Sequence, residues 1–323
     1  MKMTVNRLKN GEGMNKMTNE MQQLLEEACE LARGHLGEGR VASYIPELAK
    51  TNPANLGVCV MTKEGECFQS GDTEIPFTIQ SIGKTFSLIL ALETGGFEET
   101  FSKVGMEPSG DSFDSIIQLE MKNWTPYNPL INCGAIATVS CIRSKTPFED
   151  YLDLVRRLCG DPKARLSEKV YNSEKRTGDR NRAIAYLLKS DKILGGDTEE
   201  VLDLYFRFCS VLVTAKGLAR YGMILANDGV DPISGERMVD ARIVKTVKTL
   251  MLLCGMYDES GEFAVKIGIP SKSGVGGGIV SAAKCGMGIA TYGPVLNAKG
   301  NSVGGEVILE YLSEKLGLHM FQA

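Results

Sequence analysis

The sequence contains 323 residues, of which 43% are hydrophobic and 24% are charged, as in ordinary globular proteins that are long enough to bury a sizeable core. A formal net charge of −4 and the absence of a basic block argue against a nucleic-acid partner. No apolar stretch reaches the roughly 20 residues that span a bilayer. Residues 1–20 also lack an apolar signal-peptide core. We therefore expect a cytoplasmic protein with no membrane partner.

The numbers and positions of cysteine and histidine limit the kinds of reactive site that this chain can form. The nine cysteines are scattered and several lie within apolar runs, which predicts buried free thiols. The sequence has no Cys-x-x-Cys pair, so a structural zinc site is not expected. The two histidines, His35 and His319, lie near opposite ends of the chain without a motif around either. We predict that any hydrolytic reaction here uses a base other than histidine.

The N-terminal part of the chain is predicted to hold a tail, a helix, two strands and a second helix. Residues 1–20 are predicted to form a flexible tail, and the helical spacing of apolar residues over 20–37 predicts the first helix. Residues 55–62 and 66–72 have the pattern of two strands joined by a Lys-Glu-Gly turn. A helix over 81–93 follows.

The remainder of the chain is helical first and then returns to strands. Residues 101–254 show repeated helical spacing, including windows at 128–142, 147–159, 178–189, 198–213 and 215–228. Residues 262–294 are β-branched and glycine-rich, which favours strands with a tight bend, and residues 306–319 predict a final helix.

This order predicts the α/β (α+β) class: an antiparallel sheet flanked by helices, with an inserted helical subdomain. We expect one catalytic domain over residues 21–323, whose sheet part takes in 21–100 and 255–323.

A serine and a lysine mark the start of the second predicted helix. Ser81 and Lys84 are three residues apart, so both side chains lie on one side of a helix, with the serine in the positive field of the helix N-terminus. A lysine held against an apolar face is a candidate base for the serine in hydrolases that work without histidine. The alternative is an N-cap serine beside a lysine whose amine reaches water. Ser281 and Lys284 repeat the spacing.

Two later segments fit the same chemistry. Lys272-Ser273-Gly274 is the second element of this class of hydrolase, and the backbone N–H of Val275 would complete an oxyanion hole with that of Ser81. Tyr257 lies in a predicted turn and could share a proton with a lysine. A glycine-rich turn and a solvent-facing tyrosine are the alternatives.

Polar residues elsewhere are candidates for holding a small charged molecule. Glu174 and Asn181 lie in the turn-rich segment 172–181, and Asn132 precedes a small apolar helix. A solvated loop and a helix-capping residue are the alternatives.

Together these segments resemble one family, the serine-dependent glutaminases of the glutaminase A type, which share the fold of β-lactamases and penicillin-binding proteins. The resemblance runs from about residue 40 to the C-terminus and rests on seven stretches: YIPELAK (44–50), GDTEIPFTIQSIGK (71–84), EPSGDSF (107–113), NPLINCGAI (128–136), SEKRTGDRN (173–181), CGMYDESGEFA (254–264) and KSGVGGGI (272–279).

The resemblance implies an activity and a set of roles. The expected reaction is hydrolysis of the side-chain amide of L-glutamine to L-glutamate and ammonia through a glutamyl-serine intermediate. It implies that Ser81 is the nucleophile, that Lys84 activates it and that Tyr257 completes the proton relay. The residues implied to bind glutamine are Tyr44, Gln80, Ser81, Asn132, Glu174, Asn181, Tyr205, Tyr257 and Val275. The resemblance also implies that the reaction needs no metal and no organic cofactor, and that the protein forms a homodimer or homotetramer.

Two other functions use the same residues. A β-lactamase or penicillin-binding enzyme would share both lysine motifs, but the Ser-Asp-Asn triplet expected of it is not evident here. A glutamine sensor without catalysis would bind glutamine and release no ammonia. Two assays distinguish these two functions from a glutaminase. Hydrolysis of a chromogenic β-lactam would indicate a β-lactamase or penicillin-binding enzyme, and binding of glutamine without release of ammonia would indicate a sensor.

Overall fold

The computed structural model describes residues 11–110, 112–116 and 125–322. The helices of this part of the chain are α1 (Gly11–Arg33), α2 (Gly83–Thr94), α3 (Phe97–Lys103), α4 (Asn132–Val139), α5 (Pro147–Cys159), α6 (Glu168–Thr177), α7 (Asp179–Ser190), α8 (Thr198–Cys209), α9 (Ala215–Ala226), α10 (Ala241–Cys254), α11 (Ser260–Lys266) and α12 (Val303–Leu316). Short 3-10 turns include Gln80–Ile82 and Tyr257–Glu259.

The strands are β1 (Arg40–Val41), β2 (Gly57–Met61), β3 (Cys67–Gly71), β4 (Phe77–Thr78), β5 (Arg165–Leu166), β6 (Val211–Val213), β7 (Ser271–Gly274), β8 (Gly278–Ala283), β9 (Met287–Tyr292) and β10 (Val295–Leu296). The main sheet is antiparallel and has the order β3-β2-β9-β8-β7. Strands β4, β6 and β5 form a second antiparallel sheet, and β1 pairs with β10. Both ends of the chain therefore contribute to the main sheet.

Side-chain alternation on β2 places a separate core on each face of the main sheet. Val58 and Val60 pack with α1 and α12, whereas Cys59 faces the larger core of the helical part. Helix α9 lies against β2, β8 and β9. Its close approach needs glycine, because a Cβ at Gly288 would overlap the backbone of α9. The sheet is thus covered on both faces.

The sequence patterns predicted most elements at their observed positions. The predicted mixed α/β class with an antiparallel sheet is confirmed, as are the β2–β3 hairpin and helix α5. Helix α5 begins with Pro147 in its first turn and ends at Gly160, which adopts the left-handed conformation at φ 61°. Within the described residues, α2 to α8 lie between β4 and β6 and only β5 interrupts them.

Two predicted segments differ from the structure. The helix predicted over 198–213 ends at Cys209, because Val211–Val213 pairs with both β4 and β5. The strand region predicted from residue 262 begins as helix α11, where the Ser260 hydroxyl accepts a hydrogen bond from the Met256 N–H. In both segments, hydrogen bonds to residues outside the local pattern decide whether a helix or a strand forms.

The N-terminal helix is longer than the sequence pattern predicted. It begins at Gly11 and so includes residues 11–20 of the segment assigned to the tail, because no proline interrupts the hydrogen-bond ladder that propagates from 21–33. Residues 1–10 of the predicted tail lie outside the described residues, as do residue 111, which falls in EPSGDSF, and residues 117–124 of the predicted helical part. In the described part of the chain, no helix combines the length and apolarity needed to cross a bilayer.

Candidate active site

A cavity of about 450 Å³ opens where the helical part meets the start of α2 and the end of β7. Eight of the ten predicted site residues line it: Tyr44, Gln80, Ser81, Asn132, Glu174, Asn181, Tyr205 and Val275. The other two, Lys84 and Tyr257, lie in direct contact with lining residues. The fold therefore brings together groups that are up to 231 residues apart in the chain (275 − 44).

Ser81 lies in a constrained turn directly before α2. The 3-10 turn Gln80–Ile82 follows β4, and Gln80 adopts φ 46°, which is uncommon for a residue with a side chain. Ser81 is 8% exposed and lines the cavity. Its position one turn from the amino end of an apolar helix places it in the field that favours negative charge.

Lys84 is buried beside this serine. Its side chain is 2% exposed, and Nζ donates to Asn132 Oδ1 at 2.6 Å and to the Leu130 carbonyl at 3.2 Å. Burial lowers the pKa of Lys84 to about 8. A substantial fraction of this amine is therefore neutral at mildly alkaline pH, where it can accept a proton.

Two asparagines continue the hydrogen-bond chain from Lys84 into the cavity. Asn132 is the first residue of α4, and its Nδ2 donates to Asn181 Oδ1 at 3.0 Å. Asn181 lies in the first turn of α7. This chain orients the amides of both asparagines relative to the lysine.

Tyr257 approaches Ser81 from the other side of the cavity. It begins the turn Tyr257–Glu259 at φ 56°, a left-handed conformation that is strained for an aromatic residue. Its hydroxyl lies within hydrogen-bond reach of Ser81 and donates to the Ser273 carbonyl at 3.3 Å. Burial raises the pKa of Tyr257 above its usual range, so the hydroxyl keeps its proton at neutral pH.

The end of β7 lies directly against the turn that carries Ser81. A Cβ at Gly274 would lie 2.9 Å from the Ile79 carbonyl oxygen, and one at Gly276 would overlap the Thr78 carbonyl oxygen. Val275 lies between these glycines, belongs to a small apolar cluster and lines the cavity. Glycine on both sides lets two backbone segments approach as an oxyanion hole requires.

Glu174 supplies a buried carboxyl group to the cavity. Its side chain on α6 is 6% exposed and lines the cavity, and its Oε2 has no hydrogen-bond partner among the described residues. Burial raises the pKa of Glu174 to about 8, although Gln80 and the charge of Lys84 oppose the shift. A buried carboxyl with a free oxygen in a cavity is suited to bind a cation.

Several lining residues were not among those predicted from the sequence. Phe113 packs on Tyr257 with ring centres 4.8 Å apart, and its carbonyl accepts from the Asn132 N–H at 2.9 Å. At the rim, Arg180 Nε lies 3.0 Å from Asp114 Oδ2. The buried Cys209 also lines the cavity. Phe113 and Arg180 lie inside two of the quoted stretches, EPSGDSF and SEKRTGDRN, whereas Cys209 had no sequence signal.

The two tyrosines predicted to bind substrate differ in exposure. Tyr44 is 56% exposed at the mouth of the cavity, and Tyr205 is 4% exposed in its wall on α8. Among the described residues, no group of three or more His, Cys, Asp or Glu side chains is placed to hold a metal ion.

The site around this cavity holds the parts of a serine hydrolase site that works without histidine. These parts are a serine at a helix start, a buried lysine of lowered pKa and two backbone segments that approach closely at glycines. A family model described as glutaminase matches residues 39–321. The chain belongs to the glutaminase family, whose members are amidohydrolases. The family and activity predicted from the sequence are thereby confirmed.

Individual relatives agree with this assignment over nearly the whole chain. A glutaminase of Clostridium tetani is 50% identical over 305 residues, covering 93% of this chain and 100% of that protein. The solved structure of a probable glutaminase from Bacillus subtilis, complexed with 6-diazo-5-oxo-L-norleucine, superposes with a TM-score of 0.85 at 34% identity, covering 99% of this chain and 100% of that chain.

A second solved structure is a covalent complex. A Bacillus subtilis glutaminase bound to 5-oxo-L-norleucine, formed by its reaction with 6-diazo-5-oxo-L-norleucine, superposes with a TM-score of 0.85 at 35% identity. The match covers 93% of this chain and 99% of that chain.

Proposed function

We propose that this protein hydrolyses the side-chain amide of L-glutamine to L-glutamate and ammonia, and that Ser81 forms a glutamyl ester during the reaction. The observation that carries the proposal is the environment of Lys84, a buried amine one helical turn from a serine that lines a cavity. The reaction of a related glutaminase with 6-diazo-5-oxo-L-norleucine, a glutamine analogue, to a covalent complex supports glutamine as the substrate.

The cavity offers complementary groups for each end of glutamine. The free Oε2 of Glu174 can pair with the α-ammonium, and this contact would favour the ionised carboxyl. The α-carboxylate can accept hydrogen bonds from two amides and two hydroxyls, those of Asn132, Asn181, Tyr44 and Tyr205. Gln80, next to Ser81, contributes a further amide to substrate binding.

Proton transfer from Ser81 is assigned to Lys84 and Tyr257. Two of the three positions around Lys84 Nζ are occupied by its bonds to Leu130 and Asn132. The third is available to the Ser81 hydroxyl, which lies three residues earlier. The neutral amine accepts the serine proton as the oxygen attacks the amide carbon. The Tyr257 hydroxyl, in reach of Ser81, passes a proton to the leaving nitrogen.

The backbone completes the reaction. The negative charge on the former amide oxygen is stabilised by the N–H groups of Ser81 and Val275. Collapse of this intermediate breaks the carbon–nitrogen bond, releases ammonia and leaves the glutamyl ester on Ser81. Water then attacks the ester carbon and gives a proton to the Tyr257 phenolate, and Lys84 returns its proton to the Ser81 oxygen as the ester bond breaks and glutamate leaves.

The finer fold assignment is part of this proposal. An early Ser-x-x-Lys at the start of α2, packed against a late Lys-Ser-Gly strand, supports the β-lactamase and penicillin-binding-protein type of fold. We also propose a cytoplasmic homodimer or homotetramer. Sedimentation analysis of the purified protein tests the oligomeric state.

The decisive experiment compares Ser81→Ala with Ser281→Ala. Ser281 has the same spacing to a lysine but lies on β8, where its hydroxyl is 2.7 Å from that of Ser271. We expect wild type and Ser281→Ala to release ammonia and glutamate in equal amounts and Ser81→Ala to release neither. Full turnover by Ser81→Ala would overturn the nucleophile assignment.

A second measurement identifies the attacked residue. After incubation with 6-diazo-5-oxo-L-norleucine, peptide mapping is expected to find the adduct on the peptide that contains Ser81. If the wild-type enzyme hydrolyses a chromogenic β-lactam and not glutamine, the proposed substrate is wrong.

A further inference from the structure

A pair of thiols lies outside the cavity, on the hairpin of β2 and β3. Cys59 Sγ and Cys67 Sγ are 3.6 Å apart, close to van der Waals contact. In the register of the hairpin, Cys59 faces Gln69 and Met61 faces Cys67, so the two cysteines are diagonal neighbours on one face of the sheet. A disulfide bond of about 2.05 Å would require the two sulfurs to approach by about 1.5 Å within a single hairpin.

The two thiols differ in accessibility. Cys67 is exposed on β3, an edge strand of the main sheet, whereas Cys59 is completely buried on β2. A reagent in solution therefore reaches Cys67 first and meets Cys59 only through it. Cys285 is the other exposed cysteine of the nine, and it lies in the turn Lys284–Gly286.

The surroundings of the pair favour a thiolate on Cys67. The contact with the Cys59 thiol, which can donate a hydrogen bond to a Cys67 thiolate, is the main cause that lowers the pKa of Cys67 to about 7. The charge of Lys216 also lowers this pKa, whereas partial burial and Glu74 oppose the shift. The same hydrogen bond and burial raise the pKa of Cys59. A thiolate is the nucleophilic form of cysteine, so Cys67 is suited to attack an oxidant while Cys59 keeps its proton.

We propose that Cys59 and Cys67 form a peroxide-reactive dithiol that closes to a reversible disulfide within the β2–β3 hairpin. The Cys67 thiolate attacks one oxygen of a hydroperoxide, the O–O bond breaks, and the departing oxygen takes a proton to leave as water or an alcohol. The product is a sulfenic acid on Cys67. Cys59 sulfur then attacks Cys67 sulfur, the S–O bond breaks, and the hydroxide leaves as water with the proton from Cys59.

The overall change converts two thiols and hydrogen peroxide to one disulfide and two waters. A small-molecule dithiol restores both cysteines by exchange. Neither cysteine lines the cavity at Ser81, so catalysis is expected to survive the oxidation. The modification therefore has a readout that does not depend on how the enzyme treats glutamine.

The test uses the full-length protein, hydrogen peroxide and an alkylating reagent. After limited oxidation, remaining thiols are alkylated and the protein is digested with trypsin, which can cleave after Lys63 between the two cysteines. We expect a disulfide-linked pair of peptides that contains Cys59 and Cys67 and that disappears after reduction with dithiothreitol. Persistence of both alkylated cysteines at peroxide concentrations that oxidise Cys285 would overturn the proposal.

Three variants assign the steps. Cys285→Ser, the matched change at an exposed cysteine, is expected to leave disulfide formation unchanged. Cys59→Ser is expected to stop at a sulfenic acid on Cys67 that dimedone captures, and Cys67→Ser is expected to leave Cys59 unoxidised. A disulfide between two molecules, or between Cys67 and Cys285, would contradict the pairing.

A kinetic measurement on the wild type is independent of how the variants fold. We expect iodoacetamide to alkylate Cys67 faster than Cys285 near neutral pH, because the neighbouring Cys59 thiol favours the thiolate of Cys67. Slower alkylation of Cys67 than of Cys285 would count against its role as the attacking thiol.

Discussion

Lys272 and Tyr257 donate hydrogen bonds to the same acceptor, the carbonyl oxygen of Ser273, at 2.6 Å and 3.3 Å. The Lys272 amine also lies 4.4 Å from the centre of the Tyr257 ring and donates to the Gly255 carbonyl. The side chain of Lys272 is completely buried, and burial together with the charge of Lys84 lowers its pKa. Lys272 thus joins β7 to the loop that carries Tyr257, and we expect it to act as a positioning residue for the tyrosine hydroxyl.

Replacing Lys272 by methionine is expected to reduce kcat roughly 10- to 100-fold with a smaller change in KM, because the tyrosine loses the contacts that hold its ring and loop. Steady-state kinetics with L-glutamine measures this split. Lys284→Met is the matched control, since Lys284 also donates to a backbone carbonyl, that of Gln322, but far from the cavity. Equal loss of kcat in both variants would show a general effect on folding.

The pH profile of kcat/KM is expected to rise through about pH 8. Lys84 has a pKa of about 8 and must be neutral to accept the Ser81 proton, and Glu174, also near 8, must be ionised to pair with the α-ammonium. Both requirements favour higher pH, so the rate is expected to fall roughly tenfold or more per unit well below pH 8. A profile that is flat or declines between about pH 6 and pH 8 would contradict the assignment.

Glu174→Gln is expected to change the pH dependence of stability. The pKa of the folded carboxyl is raised from 4.5 to about 8. The stabilising contribution of the protonated carboxyl is therefore fully present below pH 4.5 and is lost as the pH rises through about 8. Relative to wild type, the amide variant is expected to gain on the order of 1–3 kcal/mol in unfolding free energy from about pH 5 to about pH 9. Urea unfolding at several pH values measures the difference, and a constant difference would refute it.

Asn132 connects the proposed base to substrate binding. Asn132→Ala removes the 2.6 Å acceptor of Lys84 and the contact with Asn181, so we expect kcat/KM to fall roughly 100-fold. Asn132→Asp restores an acceptor but adds a negative charge, which is expected to move the alkaline rise of the pH profile to higher pH. Asn227→Ala, which removes a side chain bonded to Val230, is the control and is expected to keep full activity.

The backbone at Val275 is expected to matter more than its side chain. Val275→Ala should keep most of the activity, because only the N–H is assigned a role. Gly276→Ala should lose most of it and cost roughly 1–3 kcal/mol of stability, because the new Cβ overlaps the Thr78 carbonyl next to the Ser81 turn. Gly261→Ala, where no atom lies within 4 Å of the added Cβ, is the control. Similar activity for the variants at 261 and 276 would refute the close approach.

Local pattern was sufficient for much of this molecule. The β2–β3 hairpin follows from alternating apolar residues on either side of a glycine turn, and α5 spans the same residues that its helical spacing predicted, 147–159. The ten candidate residues were also identified from the sequence, nine of them within short contiguous family stretches and Tyr205 outside those stretches. The structure adds where their side chains lie, and their individual roles stay predictions.

Other features depend on segments that meet only in the folded chain. Val211–Val213 continues the apolar pattern of α8 but is a strand, because β4 and β5 supply its hydrogen bonds. Lys84 finds its acceptor 48 residues away, and the carboxyl of Glu174 is buried by packing that no local spacing encodes.

The sequence by itself therefore determined most of the order of the elements and predicted the candidate reactive groups, since both depend on patterns that extend over a few residues. The tertiary structure decided the environment of each group: the lowered pKa of Lys84, the left-handed backbone of Tyr257 and the 3.6 Å contact between Cys59 and Cys67. The reason is physical, because desolvation and close contact depend on the density and chemistry of surrounding atoms from distant segments.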